Sequence, residues 1–299
     1  MADEKRAHDG NNESETRRIV VGLDTSFQGG EVVALAARVA ASINAGLAGI
    51  FVEDENLLAL SALAFVREVS MTGSVSNIDN NAMLRALQAQ AQIARRMLER
   101  SADEAHVACT FDVVRGRKLA SLAERSNASD TLIIHAHEAN AHEVSRAVRA
   151  ATRDARADVL LAGRGVAIAR SFGARSAQSH LPAGFFPALI TPAERPLLAI
   201  DEGSSLGEAC VHFAETLAER LGVPFRRLFA RGFATVDLAS AARKAGAGLI
   251  VINAEALGDD EDAARLSVAA GCPVLLLGGK GNRLVEMDYP ARSGSLEPG

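Results

Sequence analysis

Short β-branched runs alternate along this chain with longer stretches whose apolar residues recur every three or four positions. The first run, "RRIVVGLDTS" (17–26), ends in Asp24-Thr25-Ser26. "GGEVVALAARVAASINAG" (29–46) follows at helical spacing, with Gly46 as its expected C-cap. "LAGIFVED" (47–54) reads as a second buried strand. Strand, helix and strand joined by short links make the βαβ unit of a parallel sheet. Further on, the amphipathic "ENLLALSALAFVREVS" (55–70) predicts a helix, and a long helix is expected from about Ala82 to Ala105. "VACTFDVVRG", "DTLIIHAH" and "DVLLAG" (158–163) predict strands separated by the helical "RKLASLAERSNA" and "HEVSRAVRAATRDA". A last short strand, "FPALIT" (186–191), is expected before "PAERP".

At Pro196 the pattern restarts. "RPLLAIDEGSS" parallels "RRIVVGLDTSF", and "LGEACVHFAETLAERLG" is again a helix, closed by Gly222. "VPFRRLFARG" parallels "CTFDVVRG", "VDLASAARKAGA" parallels "RKLASLAERSNA", and "CPVLLLGG" parallels "FPALIT". The chain is therefore an internal repeat, about 17–192 and 195–279, between a polar tail (1–16) expected to be disordered and an irregular one (280–299). Asp24 to Gly116 spans 92 positions but Asp201 to Gly232 only 31, so the second copy lacks about 61 residues. One strand and the long helix fit that gap.

Composition narrows the class. Of the 299 residues 48% are hydrophobic and 23% charged, which suits a globular chain with a real core. With no Trp and one Tyr, aromatic platforms for single-stranded nucleic acid are not expected. A net charge of −5 recruits neither nucleic acid nor an anionic membrane surface. Cys109, Cys210 and Cys272 are far apart and lack C-x-x-C spacing, so reduced thiols in a cytoplasm are expected. The N-terminus has no apolar signal region, and no stretch approaches the ~18 apolar residues of a membrane span.

Val20-Val21-Gly22-Leu23-Asp24-Thr25-Ser26, the Gly-Ile-Phe-Val-Glu-Asp strand end, Val113-Val114-Arg115-Gly116 and Cys272-Pro273-Val274-Leu275-Leu276 resemble the universal stress protein (UspA) family in its tandem form. The resemblance implies a doubly wound α/β fold, flavodoxin-like and of the adenine nucleotide alpha-hydrolase-like layout, in two copies. It also implies adenosine at the carboxyl ends of the strands in members that bind ATP. Finally, it implies that the two copies pair through their last strands, forming a pseudo-dimer within one chain. Physics agrees, because an apolar edge such as "PVLLLGG" is an association hazard unless covered.

In ATP-binding members a glycine, two residues, a glycine, nine residues, then a glycine and Ser or Thr follow the strand before the last helix. Here nine residues separate Gly163 from Gly173, matching the second half of that motif. Leu160 stands where the first glycine belongs, Ala174 follows Gly173, and Ser176 comes two positions later. Gly165 could supply a different turn, and Arg164, Arg170 and Arg175 could add charge-assisted bonds. The candidate nucleotide site is therefore Asp24, Val52, Gly163, Gly165, Gly173 and Ser176, against the plainer reading of a surface loop and a turn-capping Asp. Two registers are open. In the one we prefer on spacing, "DVLLAG" precedes the cradle and "FPALIT" is the last strand. In the other, "DTLIIHAH" precedes it, with "HEANAHEV" where glycines should be, and "DVLLAG" is last. In the second copy Asp259, Asp260, Glu261 and Asp262 occupy a helix start and would repel phosphate.

Other chemistry is thinner. His135, His137 and His142 form H-x-H-x4-H, a weak metal candidate against the plainer reading of polar residues at a strand end. There is no Walker loop, G-x-G-x-x-G fingerprint or G-x-S-x-G elbow, and Cys272 is expected to be inert packing. Leu57, Leu58, Leu60, Ala64, Phe65 and Val69 make an apolar stripe that packs on its own domain, lids a cleft or docks a partner. The resemblance implies a non-enzymatic, cytoplasmic binding or regulatory module in stress response, with any ligand site in the first copy. Its partners would be proteins or small molecules, with a homodimer of tandem chains also open. The alternative is an ATP- or AMP-binding protein, with slow ATP hydrolysis at the first-copy cleft.

Overall fold

The computed structural model describes residues 17–25, 27–61, 67–69, 75–77, 80–135, 141–162, 195–258 and 262–278. Its first half runs β1 (Arg18–Leu23), α1 (Phe27–Ser42), β2 (Gly46–Asp54), α2 (Glu55–Ser61), β3 (Arg67–Val69), β4 (Val75–Asn77), α3 (Asn80–Ala105), β5 (Cys109–Gly116), α4 (Lys118–Glu124), β6 (Asp130–His135), α5 (Ala141–Arg149) and β7 (Asp158–Ala162). The second half runs β8 (Leu197–Asp201), α6 (Ser205–Leu221), β9 (Phe225–Phe229), α7 (Thr235–Ala245), β10 (Leu249–Asn253), α8 (Asp262–Ala270) and β11 (Val274–Leu277).

Nine strands form one sheet in the order β5-β2-β1-β6-β7-β11-β10-β8-β9. Every pairing is parallel except β7 with β11, where Leu160 faces Leu275 and the two halves join in an antiparallel seam. The inner strands are mostly apolar because both faces are covered, whereas the edge strands β5 and β9 carry exposed polar residues such as Asp112 and Arg226. In β1, Ile19, Val21 and Leu23 join the core under α1, α3 and α6, whereas Val20 joins the core under α4, α5, α7 and α8. The two half-sheets thus share two continuous cores. Gly49 lets α3 lie close on β2, since a Cβ there would meet Leu98 Cδ2 at 2.5 Å and Leu23 Cδ1 at 2.8 Å.

Three sequence expectations change. Gly46 does not cap α1 but opens β2, and Asn44 turns the chain instead at φ 53°. Asparagine tolerates this left-handed conformation, and the Ala45 N–H closes on the Ala40 carbonyl at 2.9 Å. The helix expected over 55–70 stops at Ser61, and Arg67–Val69 pairs antiparallel with Val75–Asn77. Val69 and Val75 are β-branched and suit strands better than helix. The preferred register also gives way. β7 occupies the seam, where it pairs with β11, so "DVLLAG" holds the place of the last strand of its half. "FPALIT" and the two tails lie outside the described residues.

The second half has four strands where the first has five in the large sheet, and β9 pairs directly with β8 as β2 pairs with β1. The shortening expected from the 92-against-31 spacing thus falls on a strand and on the α2–α3 region. Gly222 and Gly246 close α6 and α7 at φ 65° and 66°. Ser204 caps the start of α6 by accepting from the Gly207 N–H at 3.0 Å.

Candidate functional site

β1 leads into α1 on one face of the sheet, while its neighbour β6 leads into α5 on the other. Helices that part in this way leave a crevice at the carboxyl ends of the two strands. Asp24 follows β1 and His135 ends β6, and both line a cleft of about 640 Å³. Its other walls come from Asp54 at the end of β2 and Asn56 at the start of α2, from α4, and from one stripe of α5 and the turn that follows it. Residues 143, 146, 147 and 150 share that stripe at helical spacing, and Ala120, Ala123, Ala147 and Ala150 leave the space between α4 and α5 open.

The lining is densely charged. Asp24 accepts from the Lys118 ammonium at 3.4 Å, and its carboxylate lies against Gly29 at the beginning of α1. Arg117 reaches Glu55 at 3.3 Å, and Asp54 accepts from the Asn56 N–H at 2.8 Å. Arg146 is exposed on the cleft wall and has no hydrogen-bond or ion-pair partner among the described residues. Since Asp24 and Lys118 are 35% and 42% exposed, their pair contributes under about 1 kcal/mol to stability.

The matching position of the second half is built differently. Asp201 is fully buried and receives two bonds from the Arg227 guanidinium, the Nε one at 2.8 Å, and a third from the Gly203 N–H at 2.8 Å. Burial works to raise its pKa, but the Arg227 and Gly203 bonds outweigh this and hold it below the usual carboxylate value. Asp201→Ala is therefore expected to cost about 2 kcal/mol, a fall of roughly 4–8 °C in melting temperature. Asp24→Ala should cost less than half as much, a contrast that calorimetry on the two variants measures directly.

The expected site residues divide unevenly. Asp24 and His135 line the cleft, and Val52 is half-buried near the end of β2, two residues before the lining Asp54. Gly163, Gly165, Gly173 and Ser176 lie outside the described residues, as does His137. His142 is exposed at the start of α5, and among the described residues no group of three or more His, Cys, Asp or Glu is arranged to hold a metal. Cys272 is fully buried, and burial pushes its thiol up to about 12, as inert packing requires. Leu57 and Leu60 of the apolar stripe are exposed, Leu58 is half-buried, and Ala64 and Phe65 lie outside the described residues. Sequence reasoning missed Lys118 and Arg146. The signal for Arg146 was the Glu143-Arg146-Ala147-Ala150 spacing, a second stripe beside the buried Val144, Val148 and Ala151.

The crystal structure of a universal stress protein from Archaeoglobus fulgidus DSM 4304 covers 88% of this chain and 96% of its own, at 10% identity and a TM-score of 0.51. The fold is that of a universal stress protein. Looser likenesses link it to the cytoplasmic domain of a prokaryotic cation chloride cotransporter (11% identity, 90% of this chain and 99% of that one, TM-score 0.44) and to a universal stress protein in complex with cAMP (17% identity, 49% and 95%, TM-score 0.29). No family model matches the sequence, and no curated protein does. In this chain the universal stress protein fold carries an open crevice at β1 and β6, while the corresponding Asp201 is committed to an internal ion pair. Among the described residues no helix is long and apolar enough to cross a membrane.

Proposed function

We propose that this chain is a binding and regulatory module of universal-stress-protein type, with its working ligand site in the first-half cleft and a second half that mainly completes the sheet. The observation that carries this reading is the contrast between two equivalent aspartates. Asp24 is part-exposed at the mouth of a cleft of about 640 Å³, a size typical of small-molecule sites, whereas Asp201 is buried under Arg227. The ligand expected from the fold is an adenine nucleoside or nucleotide, its base side at Asp24 and Val52. The signal would pass to a protein partner in the cytoplasm.

A thermal-shift titration of the full chain with adenosine, AMP, ADP and ATP tests this. Ligand at 100 times its Kd adds about 2.7 kcal/mol, a rise of roughly 5–11 °C, to a protein that binds it only when folded. The reading expects such a rise with at least one of these ligands, lost in Asp24→Ala and kept in Asp201→Asn. No shift with any of them at millimolar concentration would overturn it.

A further inference from the structure

The cleft's charges set how many phosphates its ligand can carry. Four carboxylates (Asp24, Asp54, Glu124 and Glu143) and three Arg or Lys side chains (Arg117, Lys118 and Arg146) line it, so carboxylates outnumber these cations by one. Arg117 and Lys118 are already engaged with Glu55 and Asp24. Arg146 alone of the three has no partner among the described residues. It projects from the second turn of α5, whose inner face is held by the buried Val144 and Val148, so its backbone is anchored while its guanidinium is exposed. An anchored guanidinium facing a cleft gives bidentate, charge-assisted bonds to a phosphate.

Backbone cradles of the glycine type are the other way to hold phosphate, and they need several glycines on a long loop. The connection from β6 to α5 spans only five residues, "AHEAN", with no glycine and with a further carboxylate, Glu138. The glycines at 163, 165 and 173 follow β7, which β6 separates from β1. A monophosphate brings about two negative charges, against which the Arg146 guanidinium and a Lys118 ammonium still shared with Asp24 can both be set. A triphosphate brings about four, and the surplus would face the carboxylates of the wall.

We infer, resting on the nucleotide reading above, that the first-half cleft selects a nucleoside monophosphate over the triphosphate, with the Arg146 guanidinium as the phosphate anchor and Lys118 as its second cation. The phosphate is recognised by side chains on helices α4 and α5. Selectivity follows from charge balance at the wall.

Calorimetric titration of the full chain with adenosine, AMP and ATP, repeated on Arg146→Ala, Arg146→Lys and Gly173→Glu, decides the matter. The expected result is AMP binding about tenfold or more tighter than adenosine, with ATP no tighter than AMP. Arg146→Ala should bring AMP down to the adenosine affinity without changing adenosine, Arg146→Lys should fall between, and Gly173→Glu should be silent. Adenosine and AMP binding equally, or Arg146→Ala leaving AMP unchanged, overturns the anchor. ATP binding tighter than AMP and losing that gain in Gly173→Glu overturns the selectivity and assigns the phosphates to the glycine stretch. Failure of all three ligands to bind overturns the nucleotide reading itself.

Discussion

Replacing Gly278 by alanine is expected to lower the melting temperature by about 6–12 °C, a loss of about 3 kcal/mol. Gly278 follows β11 where that strand crosses the start of β7, and its N–H donates to Asp158 Oδ1 at 2.9 Å. An added Cβ would collide with the carbonyl oxygen of Ala157 and stand 2.8 Å from its carbonyl carbon. These are backbone atoms and cannot swing aside like a side-chain end. The chain must move, and what moves is the antiparallel pairing of Leu160 with Leu275 that joins the halves. Hydrogen exchange should rise in β7 and β11 before it rises in β1 or β8. A Gly278→Ala protein that melts within a degree or two of the parent, with unchanged exchange at the seam, would contradict this account of the junction.

The second large effect concerns the carboxylate that Gly278 holds. Asp158 lines a narrow apolar gap at the seam with Val39, Ile43, Leu217 and Leu221 from α1 and α6. Burial pushes its pKa from 3.8 up to about 7, although the Gly278 N–H and the Arg17 charge both pull the other way. Arg220 of α6 faces the same corner and opposes Arg17, whose own pKa burial lowers. A carboxyl group with a raised folded pKa binds its proton more tightly folded than unfolded. Its effect on stability is therefore nil below the unfolded pKa, becomes a penalty as pH rises toward the folded pKa, and levels off above it. Asp158→Asn keeps the oxygen that accepts from Gly278 and removes the charge. The variant should exceed the parent by up to about 4 kcal/mol at pH 8 and by less than half that at pH 5. Melting curves of both proteins across that range measure the difference, and a gap that does not widen with pH would remove the burial argument.

Both effects sit at the one place where the halves meet. α5, which lines the cleft, shares its core with α8, and Ser267 of α8 donates to the Cys272 carbonyl at 3.1 Å just before β11. The cleft and the seam are thus connected through packed helices on one face of the sheet.

How much of this was legible in the sequence depends on the range of the interaction. β1, α1, β2, the long α3 and the second-half strands each follow from a local apolar period, and Gly222 marked the end of α6, where the structure gives it φ 65°. Asp24 and Asp201 were legible as equivalent positions because both end an apolar strand. Their opposite fates were not, since Asp201 is closed by Arg227, 26 residues away on the neighbouring strand. The helix expected over 55–70 failed for a related reason, because the pairing of Arg67–Val69 with Val75–Asn77 outweighs the local period.

The sequence by itself determined that the chain is a shortened repeat of βαβ units around a buried parallel sheet, because that pattern is written in apolar spacing and turn residues. Only the tertiary structure decided which strand seals the two halves. "DVLLAG" and "FPALIT" are equally apolar, and strands buried on both faces read alike until a partner is known. It also decided which charges share a cleft. Lys118 and Arg146 stand 28 positions apart and meet at one wall only because β6 carries the chain from α4 to α5 across the sheet.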